Sequence, residues 1–128
     1  KSYKLYDKVQ IHYKLSDDSY KIYGLVGVLY FKENFNSFLK KKDEIVSSFS
    51  DSFKSLKKED YDRRKHSADK SGNSFTHDTY FNFSDGSYLS VSCYDWSKEK
   101  NIENKWFDNL KVAIISKEFD DFLHDFYK

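Results

Sequence analysis

Between Phe75 and Trp96 two alternating stretches flank Ser84-Asp85-Gly86, and their two parities carry different chemistry. A three-residue loop with Gly86 in the left-handed region pairs Phe83 with Ser87, then Phe81 with Leu89, Thr79 with Val91 and His77 with Cys93. That register places Phe75, His77, Thr79, Phe81, Phe83, Leu89, Val91 and Cys93 on one face. The other face receives Asp78, Tyr80, Asn82, Tyr88, Ser90, Ser92, Tyr94 and Trp96. A two-residue Asp85-Gly86 turn would mix the two sets and expose apolar side chains, so burial selects the longer loop.

Other segments supply partners for this hairpin. Val9, Ile11, Tyr13 and Leu15 alternate with Gln10, His12 and Lys14, as in a half-buried strand, and Ser16-Asp17-Asp18-Ser19 reads as a turn. From Tyr20 to Phe31 both parities are apolar, the pattern of a strand covered on both sides, or covered on one side with an interface on the other. Gly24 and Gly27 within it mark a bulge or close packing. From about Asn34 to Leu56 the period becomes helical, with Phe35, Phe38, Leu39, Ile45, Val46, Phe49, Phe53 and Leu56 forming one apolar stripe that reads as core. Lys57 to Ser74 is nearly devoid of apolar residues and reads as one long polar loop. Leu110 to Ile115 is a further strand. Ser116 is a fitting N-cap, and Glu118, Asp120 and Asp121 suit the positive end of the short helix that carries Phe119, Phe122, Leu123 and Phe126. The expected fold is a single α+β domain over residues 1–128, ordered ββαβββα. An antiparallel sheet of about five strands carries two amphipathic helices packed on one face.

Composition supports a folded chain. Its 128 residues suffice for one core, and 20% aromatic content means that rings supply much of the burial, which separates the chain from disordered sequences despite 34% charge. No apolar run reaches the ~20 residues of a membrane span, and no signal peptide is legible. A single cysteine excludes an internal disulfide, which fits a cytoplasmic setting. With no methionine even at position 1, the expectation is a chain trimmed ahead of Lys1. The net charge of +1 is unevenly spread. Residues 1–74 hold sixteen basic and eleven acidic side chains, residues 75–128 six and ten, so the surface is dipolar and suited to steering a charged partner.

Reactive constellations are sparse. Cys93 and His77, opposed across the hairpin, form the one nucleophile-and-base pair, and a cysteine-dependent enzyme would use them. They sit on the apolar face without a glycine-rich elbow, where a cysteine usually behaves as a small hydrophobe. The histidines lack metal-ligand spacing, and the isolated glycines cradle no phosphate, so neither metal nor cofactor is expected. Arg63, Arg64 and Lys65 with neighbouring lysines form the best basic patch, diluted by Glu59, Asp60, Asp62 and Asp69.

The polar-aromatic hairpin face is the favoured working surface. Tyr80, Tyr88, Tyr94 and Trp96, interleaved with Asn82 and Ser90 and joined by Arg63 and Arg64, have the side-chain chemistry of protein-recognition surfaces. The sequence therefore reads as a small non-enzymatic domain that inhibits or neutralises a partner protein. An immunity protein, an antitoxin or a phage inhibitor acting on a toxin or defence enzyme is the concrete form. A homodimer through a sheet edge or the tyrosine face satisfies the same surface argument. A nucleic-acid-binding module stacking bases on these rings, with the basic loop on phosphate, ranks behind it.

Overall fold

The computed structural model describes residues 5–31 and 34–126. Its frame is one antiparallel sheet of six strands: β1 (Lys8–His12), β2 (Gly24–Tyr30), β3 (Lys57–Lys65), β4 (Phe75–Asn82), β5 (Tyr88–Asp95) and β6 (Asn109–Ile115). Three helices are added, α1 (Phe35–Ser52), α2 (Lys98–Asn104) and α3 (Lys117–Phe126). The strand order across the sheet is β1-β2-β6-β5-β4-β3. Because every neighbouring pair is antiparallel, β2 and β3 run in the same direction, and α1 is the crossover that carries the chain over three intervening strands.

The β4–β5 hairpin has the register that the parity argument selects. Phe81 lies opposite Leu89, Thr79 opposite Val91 and His77 opposite Cys93. The Phe83 amide donates to the Ser87 carbonyl at 3.0 Å, and Gly86 has φ of +86°, a conformation that a side chain would strain. On the hairpin's apolar face, Phe38 and Val46 of α1 close over Phe81, Leu89, Val91, Cys93 and Leu110. Each such fully buried side chain contributes roughly 1.5–3 kcal/mol of transfer free energy. The aromatic share of the core is visible in edge-on contacts such as Phe49 with Phe81 and Phe31 with Phe38. Asn34 caps α1 by accepting from the Ser37 amide, and the helix ends at Ser52, after which Phe53 and Leu56 still reach the core.

Three expectations are corrected. Residues 57–74 are not one loop: 57–65 form the edge strand β3, and only 66–74 connect it to β4. An edge strand is paired on one side only and its residues are mostly exposed, so it needs no apolar alternation; register with β4 and cross-strand polar bonds hold it. The two long helices do not share a face. Phe119 of α3 packs against Val26, Val28, Ala113 and Ile115, on the side of the sheet opposite α1. The apolar stripe of α3 required a partner, but only the tertiary fold decides which side of a sheet provides it. Finally, α2 adds a third helix inside the connection after β5, capped by Ser97 and burying none of its residues.

Candidate functional site

The sheet has two dissimilar faces. On the α1 side, a polar row runs beside the core. Lys42, buried on α1, donates to Thr79 Oγ1 at 2.7 Å, and that hydroxyl donates to Asp60 Oδ1 at 2.6 Å. His77 Nδ1 lies 2.7 Å from Asp62 Oδ1, and its ring packs against Phe35. Cys93 is fully buried, its thiol donates to the Phe38 carbonyl at 3.6 Å, and burial pushes its pKa up to about 12. A thiolate nucleophile needs the opposite shift, and His77 is already engaged by Asp62.

Helix α1 covers only part of this side. Val91, Cys93 and Leu110 are 0% exposed beneath it, whereas Val9, Ile11, Leu25 and Ile114 stand 56%, 54%, 40% and 45% exposed on β1, β2 and β6. These four are neighbours by register, since Val9 faces Gly27, Ile11 faces Leu25 and Leu25 faces Ile114. A shallow groove of about 210 Å³ runs along the boundary, between Leu89 and Val112 on one side and Val9 and Leu25 on the other, with the Tyr6 ring packed over Gly27 in its lining. Among the described residues, the outer edge of β1 pairs with no strand.

The opposite face is where the sequence placed its working surface, and the structure sorts those residues into groups. Tyr94 and Trp96 line a cleft of about 780 Å³ together with Tyr30, His66, Trp106 and Phe107, and with Lys8, Lys105 and Lys111 at its sides. Trp96 touches Trp106 and His66 at ring-centre distances of 4.7 and 4.5 Å. Tyr80 and Arg64 line a smaller adjoining pocket that Tyr94 and His66 share. Arg64 is held by Asp78 at 2.7 Å and stacks over Tyr61, whereas Arg63 diverges. The bulge between Tyr61 and Arg64 gives Arg63 φ of +40° and lays its guanidinium over Phe75. Tyr88 packs edge-on against Tyr80 at a ring-centre distance of 5.4 Å, and its hydroxyl donates to Asp120 on α3 at 3.1 Å. Burial, with the Asp120 carboxylate beside it, raises that phenol's pKa. Asn82 turns to Glu59 on β3, and Ser90 is buried. The chosen residues therefore do not form one flat tyrosine surface; Tyr94 and Trp96 contribute to the cleft and Arg64 and Tyr80 to its neighbour.

Local chemistry positions the cleft walls. Asp69 accepts from Ser74 Oγ at 2.6 Å and from Ser71 Oγ at 2.7 Å, which holds its carboxyl down at about 2. The Ser97 amide donates to Ser74 Oγ at 2.9 Å, tying the 66–74 loop to the start of α2. Lys105 ends α2 in the left-handed conformation, φ +55°, and delivers Trp106 against Trp96. Sequence reasoning missed Trp106, Phe107 and the three lysines. An adjacent Trp-Phe pair within an otherwise polar connection was the available signal. Burial lowers the pKa of His66, assisted by Lys111, and burial together with Lys8 lowers that of Lys111. Among the described residues there is no group of three or more His, Cys, Asp or Glu that could hold a metal ion, and no helix is long and apolar enough to cross a membrane.

No protein-family model matches this chain, and no curated protein or solved structure matches it.

Proposed function

We propose that this chain is a small binding domain that captures a partner protein and inhibits or neutralises it. The observation that carries the reading is the exposed apolar quarter of the sheet, Val9, Ile11, Leu25 and Ile114, continuous with the edge of β1 that no strand among the described residues pairs. The two edges of the sheet differ in a telling way. β3 is guarded by charges and a bulge, whereas β1, itself a short edge strand that begins with Lys8, carries exposed Val9 and Ile11. An extended segment of the partner adding to β1 would gain main-chain hydrogen bonds from the edge and side-chain burial from the apolar quarter. Immunity proteins, antitoxins and phage inhibitors of a toxin or defence enzyme are the forms of function that such a capture surface serves.

The test is differential capture from the source cell lysate on immobilised wild-type chain and on the Ile11→Lys, Leu25→Lys double variant. Both positions are at least 40% exposed, so the variant is expected to keep its melting temperature within a few degrees. One stoichiometric protein held by wild type in high salt and lost from the variant is the expected result. Identical retention on both columns, or an isolated chain that is already a dimer through β1, would overturn the reading.

A further inference from the structure

The aromatic cleft on the other side of the sheet, independent of the capture surface, has the makings of a small-ligand site. Its volume of about 780 Å³ lies in the range of sites for ligands of a few hundred daltons. Three observations define what it would accept. The first is charge: among the described residues Lys8, Lys105 and Lys111 line it, no carboxylate does, and none of the three lysines forms an ion pair with a carboxylate. In a chain with 21 acidic residues against 22 basic ones, a lining whose described residues include three lysines and no carboxylate favours an anion, Lys111 Nζ lying also 4.6 Å from the Tyr94 ring centre. The second is aromatic lining: Trp96, Trp106, Tyr94 and His66 pack against one another along its wall, the side chains on which a planar ring stacks. The third is an unmet hydrogen bond: Asn109, 5% exposed in the cleft lining, donates from Nδ2 to the Phe107 carbonyl, but its Oδ1 has no partner. The bare Oδ1 is sealed from solvent, so an N–H from a ligand would reach it only on rotation of the amide toward the cleft.

We infer that this cleft binds a nucleotide, its base stacked on the Trp96 and Trp106 walls beside Asn109, its phosphate met by Lys8, Lys105 and Lys111. Backbone geometry at the rim fits a site whose parts are held in place: Lys105 occupies a left-handed conformation unusual for a residue with a side chain. The same chemistry comes from a free nucleotide or from one residue of a single strand, and the test separates the two sources.

Both tryptophans of the chain line the cleft, so intrinsic emission reads it directly. The full chain is titrated with the four 5′-monophosphates, with the matching nucleosides, and with short single-stranded oligonucleotides. Saturable quenching by at least one nucleotide is expected, with affinity lower by about tenfold or more for its nucleoside. Lys105→Gly suits the left-handed backbone and keeps the fold. It is expected to weaken the nucleotide by about tenfold while hardly changing the nucleoside. Tighter binding of the oligonucleotide than of the monomer assigns the site to a strand, and equal binding assigns it to the free nucleotide. No saturable response up to about 10 mM, equal affinity for nucleoside and nucleotide, or a Lys105→Gly variant that titrates as wild type would each overturn the inference.

Discussion

At pH 8 a thiol with a pKa near 12 is ionised in only about one molecule in ten thousand, and Cys93 is also sealed beneath α1. Native protein treated with iodoacetamide should remain almost unlabelled for as long as the fold persists, and should label stoichiometrically once urea unfolds it. Rapid native labelling would return the Cys93 and His77 pair to consideration. Lys42 gives a second expectation at this scale. Its ammonium is buried and depends on the Thr79 hydroxyl, which in turn bonds Asp60. Thr79→Val should therefore cost about 1–3 kcal/mol in urea unfolding, because it strands a buried cation. Lys42→Met, which keeps the stem and removes the charge, should cost less. The double variant should recover much of the loss; strictly additive costs would mean that the two side chains do not depend on each other.

Among the elements, the hairpin and the 66–74 loop make opposite demands on the chain. Gly86 supplies a left-handed turn residue, and a Cβ there would also meet the Lys117 side chain at 2.9 Å. Gly86→Ala should lower stability by about 1 kcal/mol or more, measured as a shifted urea midpoint with unchanged slope. Asp69 organises the loop, and its folded pKa of about 2 lies below the ordinary 3.8. A depressed carboxyl contributes stability that is fully present above pH about 4 and is lost as pH falls toward 2. The difference in melting temperature between wild type and Asp69→Asn should therefore shrink across that window. A difference that stays constant from pH 6 to pH 2 would contradict the role given to Ser71 and Ser74. The hairpin was legible because Phe81, Leu89 and Val91 on one parity and Tyr80, Tyr88 and Tyr94 on the other leave a single register that buries the apolar set. Strand β3 was not. Lys57 to Lys65 has no apolar alternation, and what holds it, Asp60 to Thr79, Asp62 to His77 and Arg64 to Asp78, exists only once β4 lies beside it.

For the whole molecule, the sheet divides labour between its sides. Helix α1 closes half of one side and leaves Val9, Ile11, Leu25 and Ile114 open, while the 66–74 loop and the segment that follows α2 frame a cleft on the other. The apolar character of both parities of β2 was already readable in the chain, including the option of one covered side and one interface. Which side stays open follows from the path of α1 toward β3, and no local pattern records that path. The cleft was half legible: Tyr94 and Trp96 were visible on the polar hairpin face, whereas Lys8 and Trp106 come from distant segments that only the β1-β2-β6-β5 order unites. Hydrogen exchange of the chain, alone and saturated with a captured protein, tests the proposal that β1 is the capture edge. New protection should fall on the amides of Lys8–His12, with those of Lys57–Lys65 unchanged. Protection confined to β3, or to the α2 and 66–74 segments around the cleft, would contradict it.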